Sequence, residues 1–233
     1  MGGYDDVSTF AHESGHSMHS YFSNKYQPYI NSDYSIFVAE VASTLNENLL
    51  SHYALKNITR NNQEKLFLLG SKLEGFRTTL FRQTLFAEFE LKIHEIVEAK
   101  GSLSDEQLSK LYLQLLKIYY GHDQGICQID DIYGIEWARI PHFYYDFYVF
   151  KYSTSLVAST AIAKAMREET QKGGTSVRDA YIKFLSSGSS KYPIELLKGV
   201  GVDMTTSKPF NAAIEEMNSI MDQIEKMIAS TPQ

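Results

Sequence analysis

The sequence predicts an all-α fold of about eight helices with little or no β-sheet. Beyond Val7, apolar residues recur at steps of three and four, the spacing of one helix face, and strict alternation is scarce. The 233 residues are 43% apolar, which is enough to bury a continuous core. Because no internal repeat or linker-like tract divides the sequence, we expect residues 1–233 to form a single helical domain.

Three helical segments are predicted in the amino-terminal half. The first should cover residues 7–22, and a loop separates it from a second helix over residues 35–55. The third segment, residues 63–100, has no proline, although Gly70 and Gly75 could bend it. Six apolar residues of the second helix are expected to face the core: Val38, Val41, Ala42, Leu45, Leu49 and Tyr53.

The carboxyl-terminal half is less regular. Ser104 and Gln107 have the spacing of a capping box and should open a helix that ends near Tyr120. Residues 121–140 are rich in glycine and aspartate, which predicts a long loop. An aromatic stretch then leads into a helix that should end near Lys172. Later helices are expected to begin near Ser176, at Pro193 and at Pro209.

Composition excludes several classes of partner and location. Lys and Arg total 22 and Asp and Glu total 28, so the net charge of −6 argues against nucleic acid as a partner. Cys127 is the only cysteine, so no intrachain disulfide can form, and a reducing cytoplasm fits best. No apolar run reaches the eighteen or so residues that cross a bilayer, and we expect no membrane association.

The pentapeptide from His12 to His16 matches the pattern His-Glu-x-x-His. On a helix, residues four apart lie on one face, so the two imidazoles converge on one point. Such a pair supplies two nitrogens to zinc at roughly 2.0–2.1 Å, and Glu13 can reach a water on the same metal. The alternative is a coincidental match in a polar helix, which among 7 histidines arises on the order of one time in a hundred.

A glutamate from the second helix is the better candidate for a third ligand. A third histidine in the extended motif requires Gly at position 19 and His at position 22, where this chain has His19 and Phe22. Glu40 lies inside an otherwise apolar stretch, and a buried carboxylate without a metal or a cation beside it is costly.

Two further side chains are expected near these ligands. Glu47 lies seven residues after Glu40 on the same face, where it either accepts a hydrogen bond from an imidazole or is solvated. His19 is one turn beyond His16, and a fourth protein ligand would close the position that water must occupy. We therefore expect His19 to lie behind the ligands or at the surface.

Seven short segments resemble the oligoendopeptidase F branch of the thimet oligopeptidase family of zinc peptidases. They cover nearly the whole chain in the order expected, which makes them far more specific than His-Glu-x-x-His alone. One departure is small, because the family more often has Leu or Phe at the position of Ser14. The segments are GYDDV (3–7), AHESGHSMHS (11–20), AEVAST (39–44), WARIPHFYY (137–145), FYVFKY (147–152), SGSSKYP (187–193) and GVDM (201–204).

The resemblance implies a zincin-like helical catalytic domain with the histidine motif on its first helix. It implies one zinc ion per chain held by His12, His16 and Glu40, with Glu13 as the general base that activates the zinc-bound water. The implied activity is a zinc metalloendopeptidase that hydrolyses internal bonds of short oligopeptides.

The resemblance also implies a histidine and tyrosines that stabilise the developing oxyanion. His142 matches the histidine, and its alternative is a structural role at a helix start. Tyr145, Tyr148 and Tyr152 are the candidate tyrosines, and the residues leave open which pair faces the substrate.

Members of this family carry a large helical segment before the zinc motif, whereas eleven residues precede His12 here. We therefore expect the chain to be the carboxyl-terminal part of a longer peptidase. An alternative is a zinc-binding but inactive helical module that lacks the amino-terminal wall of the substrate channel. In either case uncovered helix faces would promote self-association.

Overall fold

In a computed structural model, which describes residues 3–230, the described residues form helices joined by turns and loops and contain no strand. The prediction of an all-α fold is therefore confirmed. The first five α-helices are α1 (Tyr4–Tyr26), α2 (Ile36–Ala39), α3 (Val41–Asn57), α4 (Asn62–Gly75) and α5 (Arg82–Glu98). The next five are α6 (Asp105–Tyr119), α7 (Phe150–Gln171), α8 (Ser176–Leu185), α9 (Pro193–Gly199) and α10 (Lys208–Ala229).

The predicted second helix is interrupted. Glu40 has φ −91° and ψ 1°, so α2 ends and α3 begins at this residue. The carbonyl oxygen of Glu40 accepts the backbone N–H of Thr44 at 3.1 Å, and the hydroxyls of Ser43 and Thr44 also donate to it, at 3.1 and 2.5 Å. The expected core face is correct from Val38 to Leu45, but Tyr53 is exposed.

Two other segments have a different secondary structure from the one predicted. Residues 63–100 are not one regular α-helix, because a π-helical turn over Phe76–Phe81 joins α4 to α5. Residues 121–140 are not entirely a loop, because Asp131–Arg139 forms a 3₁₀-helix. Pro141–Tyr145, just before α7, and Tyr29–Asn31, after α1, also form 3₁₀-helices. The capping box is confirmed, since Gln107 N–H donates to Ser104 Oγ and Ser104 N–H donates to Gln107 Oε1.

Contacts divide the chain into two compact units. Unit 1 comprises residues 1–76 and 154–233, and unit 2 comprises residues 77–153. The single-domain organisation stays a prediction. In unit 1, α1 packs along α3, α8 packs on α1 and α9, and α10 packs on α4. The centre of the unit 1 core is formed by Val38, Val41, Ala42, Leu45, Ala158, Ile162, Ala163 and Leu197.

Unit 2 is built on α5 and α6, and the 3₁₀-helix Asp131–Arg139 packs on α6. Its core combines aliphatic and aromatic side chains and includes Leu85, Phe86, Phe89, Tyr112, Leu115, Leu116 and Val149. Glu136 of the 3₁₀-helix is hydrogen-bonded to both α-helices: it accepts from Tyr112 Oη of α6 at 2.9 Å and from Arg82 of α5 at 2.5 Å. Across residues 3–230, no helix combines the length and the hydrophobicity needed to cross a bilayer.

The close approach of α1 to α3 depends on Gly15. A β-carbon at this position would lie 2.6 Å from the carbonyl oxygen of Ala42 and 2.6 Å from Cα of Ser43. Both of these are backbone atoms, so no side-chain rotation could make room for a methyl group. The identity of residue 15 therefore sets the distance between the two helices.

We expect Gly15→Ala to lower the free energy of unfolding by about 1–3 kcal/mol, because the added methyl forces α1 away from α3. Gly70→Ala is the matched control, since Gly70 is an exposed helical residue with open space where the methyl group would lie. It should raise stability by up to about 1 kcal/mol through helix propensity. Urea unfolding measures the free energy of unfolding of both variants. Equal effects of the two substitutions would contradict the packing argument.

Candidate metal centre

Helix α1 places His12 and His16 one turn apart on its inner side. Their Nε2 atoms lie 3.2 Å from each other, and both rings are half-buried. Oε2 of Glu40 lies 3.4 Å from Nε2 of His12 and 3.3 Å from Nε2 of His16. Two imidazole nitrogens and one carboxylate oxygen therefore form a nearly equilateral triangle, which we call the donor triangle.

The break between α2 and α3 holds the carboxylate of Glu40 at this place. The residue is 7% exposed, and Ser43 Oγ donates a hydrogen bond of 2.8 Å to its Oε2. Burial by itself would raise the pKa of Glu40, but hydrogen bonds from His12, His16 and Ser43 outweigh it. The pKa of Glu40 is consequently well below its usual value, and the carboxylate stays ionised near neutral pH.

The size and chemistry of the donor triangle fit a zinc ion. Tetrahedral zinc bonded to nitrogen and oxygen at 2.0–2.1 Å requires ligand atoms about 3.3–3.4 Å apart. The three observed separations are 3.2, 3.3 and 3.4 Å. Two imidazoles and a carboxylate are also a donor set found in catalytic zinc sites. The side chains thus match the metal in both spacing and ligand type.

Glu47 of α3 contacts His12 through the ring nitrogen that does not belong to the donor triangle. Its Oε1 lies 2.6 Å from Nδ1 of His12, so it accepts the hydrogen bond from that nitrogen and directs the other ring nitrogen, Nε2, toward the triangle. Nδ2 of Asn46 donates to the carbonyl oxygen of Ala11 at 3.1 Å, which joins α3 to α1 beside this pair.

The charged neighbours of His12 also set its protonation. Hydrogen bonds to Glu40 and then to Glu47 raise the pKa of His12 to about 10 in the metal-free chain, although burial opposes the change. A metal bound in the donor triangle must displace the proton on Nε2 of His12, so metal affinity should fall as the pH falls.

Glu13 and His19 lie on the same helix as the triangle but have different surroundings. Glu13 is exposed, and within residues 3–230 its carboxylate has no hydrogen bond or ion pair. His19 is 1% exposed and stacks on the ring of Tyr34, with centroids 3.7 Å apart. Burial, and then the charge of His16, lower the pKa of His19 to about 4. The structure therefore places His19 in the core, neutral, and outside the donor triangle.

Unit 2 contains a second group of predicted site residues, which we call the His142 cluster: His142, Tyr145, Tyr148 and Tyr152. The ring of Tyr148 stacks on that of His142 at 5.6 Å, and Tyr145 and Tyr152 meet it edge-on at 6.3 and 6.1 Å. Tyr145 is exposed, while the other three side chains are partly buried. The rings of the three tyrosines that were singled out from the sequence thus all pack around His142.

Sequence reasoning missed a buried cation in this cluster. Lys151 is 3% exposed, and its Nζ lies 3.7 Å from the centre of the Tyr148 ring and 5.0 Å from that of Tyr152. A lysine within the aromatic run FYVFKY was the available signal, because a cation among aromatic rings often packs on their faces.

Comparison with known proteins identifies the family. A profile of peptidase family M3 matches residues 3–216. The chain belongs to peptidase family M3. It is 45% identical over 229 residues to "Oligopeptidase PepF" of Bacillus subtilis, which covers 98% of this chain and 33% of that protein. It is 44% identical over 224 residues to an "Oligoendopeptidase F homolog" of Lactococcus lactis, covering 96% of this chain and 36% of that protein.

A solved structure shares the fold of this M3 chain. The crystal structure of oligoendopeptidase-F from Enterococcus faecium superposes with a TM-score of 0.81 at 37% identity, and covers 97% of this chain and 40% of that one. The resemblance to the oligoendopeptidase F branch is confirmed. The M3 chain spans about a third of the length of the curated relatives it matches, 33% and 36%.

The pKa of His12 gives a pH dependence that can be measured on the metal-free M3 chain. Because its pKa is raised from 6.5 to about 10, the stabilisation from the imidazolium is fully present below pH 6.5 and is lost as the pH rises through 10. We expect the melting temperature of the wild type to fall more between pH 7 and pH 10 than that of His12→Gln. Since the ring is partly exposed, the difference should be modest. Parallel pH profiles would contradict the assignment.

Proposed function

We propose that this chain is the catalytic portion of a zinc endopeptidase that hydrolyses internal peptide bonds of short oligopeptides. The observation that carries the proposal is the donor triangle of His12, His16 and Glu40 on a chain of family M3. The oligopeptide substrate is supported by the names of the relatives, "Oligopeptidase PepF" and "Oligoendopeptidase F homolog". The competing proposal is a module that binds zinc without turnover, which is kept because the relatives are about three times longer.

His12, His16 and Glu40 would hold the metal. When bound, zinc supplies a Lewis acid that polarises a peptide carbonyl and lowers the pKa of water toward neutrality. Glu47 accepts a hydrogen bond from the Nδ1 proton of His12, so that the lone pair of Nε2 points toward the metal position.

Glu13 is the proposed general base. It lies next to His12 in sequence, and its exposed carboxylate is held by no described neighbour. Such a carboxylate can take the proton from the attacking water and deliver it to the leaving amine. The His142 cluster offers imidazole and phenol donors for the negative charge that develops on the carbonyl oxygen.

Some parts of the proposal depend on the sequence alone. Cys127 is the single cysteine of the sequence, which suits a reducing compartment such as the cytoplasm. The placement of residues 1–233 as one domain at the carboxyl end of a longer peptidase, and self-association through uncovered helix faces, remain proposals of the same kind. So does the absence of nucleic acid among the partners.

Glu13→Gln should keep zinc and lose activity. The amide cannot accept a proton, so we expect cleavage of a quenched fluorescent peptide by the zinc-loaded chain to fall by a factor on the order of 10²–10⁴. Zinc content, measured by elemental analysis, should stay at one per chain. An unchanged cleavage rate in Glu13→Gln would refute the role of this residue. A wild type that holds zinc but cleaves no peptide would favour the inactive module.

Glu47→Ala should weaken zinc binding by a factor of about 10–100, because it removes the hydrogen bond that orients His12. The matched control is Glu225→Ala, which removes an exposed carboxylate on α10. Competition titration against a chromophoric chelator measures both affinities. Equal affinities for Glu47→Ala and the wild type would show that Glu47 does not orient the ligand.

A further inference from the structure

Two consecutive non-glycine residues in unit 2 have left-handed backbone angles. Asp146 has φ 51° and ψ 99°, and Phe147 also has φ 51°. Residues with a β-carbon rarely adopt this region, so neighbouring residues must hold the turn in place. The turn lies between Tyr145 and Tyr148, two members of the His142 cluster.

Helix α5 supplies the groups that hold this turn. Oε1 of Glu90 accepts a hydrogen bond of 2.8 Å from the N–H of Phe147. His94, one helical turn further along, packs its ring on that of Phe147 at 4.4 Å, and its Nε2 lies 3.9 Å from Oδ1 of Asp146. Two residues four apart on one helix therefore contact both left-handed residues.

Glu90 is an unusual residue for a helix core. It is 1% exposed and lies among the largest fully buried side chains of the chain. Burial raises the pKa of Glu90, and the hydrogen bond from Phe147 and the proximity of His94 only partly oppose this. An apolar residue would fill the same space without the cost of burying a carboxyl group. The hydrogen bond to the turn is what distinguishes Glu90 from such a residue.

The turn determines where Tyr148 lies. Tyr148 follows Phe147 directly, and its ring stacks on His142 at 5.6 Å with an interplanar angle of 20°. A right-handed conformation at residues 146 and 147 would send the chain in another direction and separate these rings. The stacking thus depends on a backbone conformation that Glu90 stabilises.

We propose that Glu90 is a positioning residue for peptide hydrolysis: it fixes the left-handed turn at Asp146 and Phe147 so that Tyr148 packs on His142. The inference rests on the proposed function, since it takes the His142 cluster to act on the substrate. Glu90 itself acts through the turn and does not touch the cluster in any described hydrogen bond or ring contact.

The test compares Glu90→Ala and Glu90→Gln with the control Glu95→Gln, an exposed glutamate on the same helix. Each full chain is loaded with zinc, and kcat, KM and zinc content are measured. The ring C–H signals of histidine-labelled protein are recorded by NMR, and the His142 signal is assigned from its loss in His142→Gln. This signal senses the ring currents of the surrounding tyrosines.

Glu90→Ala should shift the His142 signal toward that of an unstructured histidine and lower kcat at least tenfold. KM should change less than twofold, and zinc should stay at one per chain. Glu90→Gln keeps an acceptor oxygen and should recover most of the signal position and of kcat, while Glu95→Gln should match the wild type. If Glu90→Ala fails to fold, Glu90→Leu fills the space without an acceptor and should show the same changes.

An unchanged His142 signal in both the Ala and the Leu variant would overturn the inference, as would a loss of zinc or a KM effect equal to that on kcat. Failure of the proposed function is seen separately. In that case the wild type itself shows no turnover, which removes the catalytic role of Glu90, whereas the NMR signal still decides whether Glu90 holds Tyr148 on His142.

Discussion

The backbone contact between α1 and α3 at Gly15 is the constraint on which the rest of the site depends. It brings the helix that carries His12 and His16 close enough to α3 for Glu40 and Glu47 to reach the imidazoles from one side. A methyl group at residue 15 has no space, because the atoms it would meet belong to the backbone of Ala42 and Ser43. The spacing of the donor triangle is thus set by the backbone, and no side-chain adjustment can replace it.

The break between α2 and α3 places the carboxylate of Glu40 beside the two histidines of α1, where the three donor atoms have the spacing that a metal ion requires. At the break the carbonyl oxygen of Glu40 accepts the backbone N–H of Thr44 and the hydroxyls of Ser43 and Thr44, which fixes Glu40 to the first turn of α3. Thr44 also donates to Ser159 Oγ of α7 at 2.8 Å, which anchors the start of α3 in the core of unit 1. Rigid support of this kind keeps ligand atoms at their required separations.

Much of this arrangement could be predicted from the sequence. Periodicity predicts the long helices, and a separation of four residues on one helix predicts that His12 and His16 face the same point. A carboxylate in an apolar stretch makes Glu40 a candidate, and the structure places it with both histidines. Its role as a ligand, and the roles of Glu13 and the His142 cluster, stay predictions.

The features that sequence reasoning missed depend on contacts between distant residues. The apolar pattern continues through the break at Glu40, so nothing local marks it. The 3₁₀-helix after Asp130 is stabilised by packing on α6, where Gly134 lies against the carbonyl of Ser109 and Trp137 Nε1 donates to Ser109 Oγ at 3.1 Å. Tyr53 is exposed because the buried face of α3 continues through Asn48, Ser51 and Ala54 rather than along the apolar positions Leu49 and Tyr53.

X-ray absorption spectroscopy of the zinc-loaded chain would show whether the donor triangle holds the metal. We expect one zinc per chain with nitrogen and oxygen neighbours at about 2.0–2.1 Å, multiple-scattering features of two imidazoles, and no sulfur neighbour. The spectrum should change in Glu40→Gln, which weakens one ligand. A sulfur neighbour at about 2.3 Å, which would implicate Cys127, or a spectrum that Glu40→Gln leaves unchanged, would show that the donor triangle is not the zinc site.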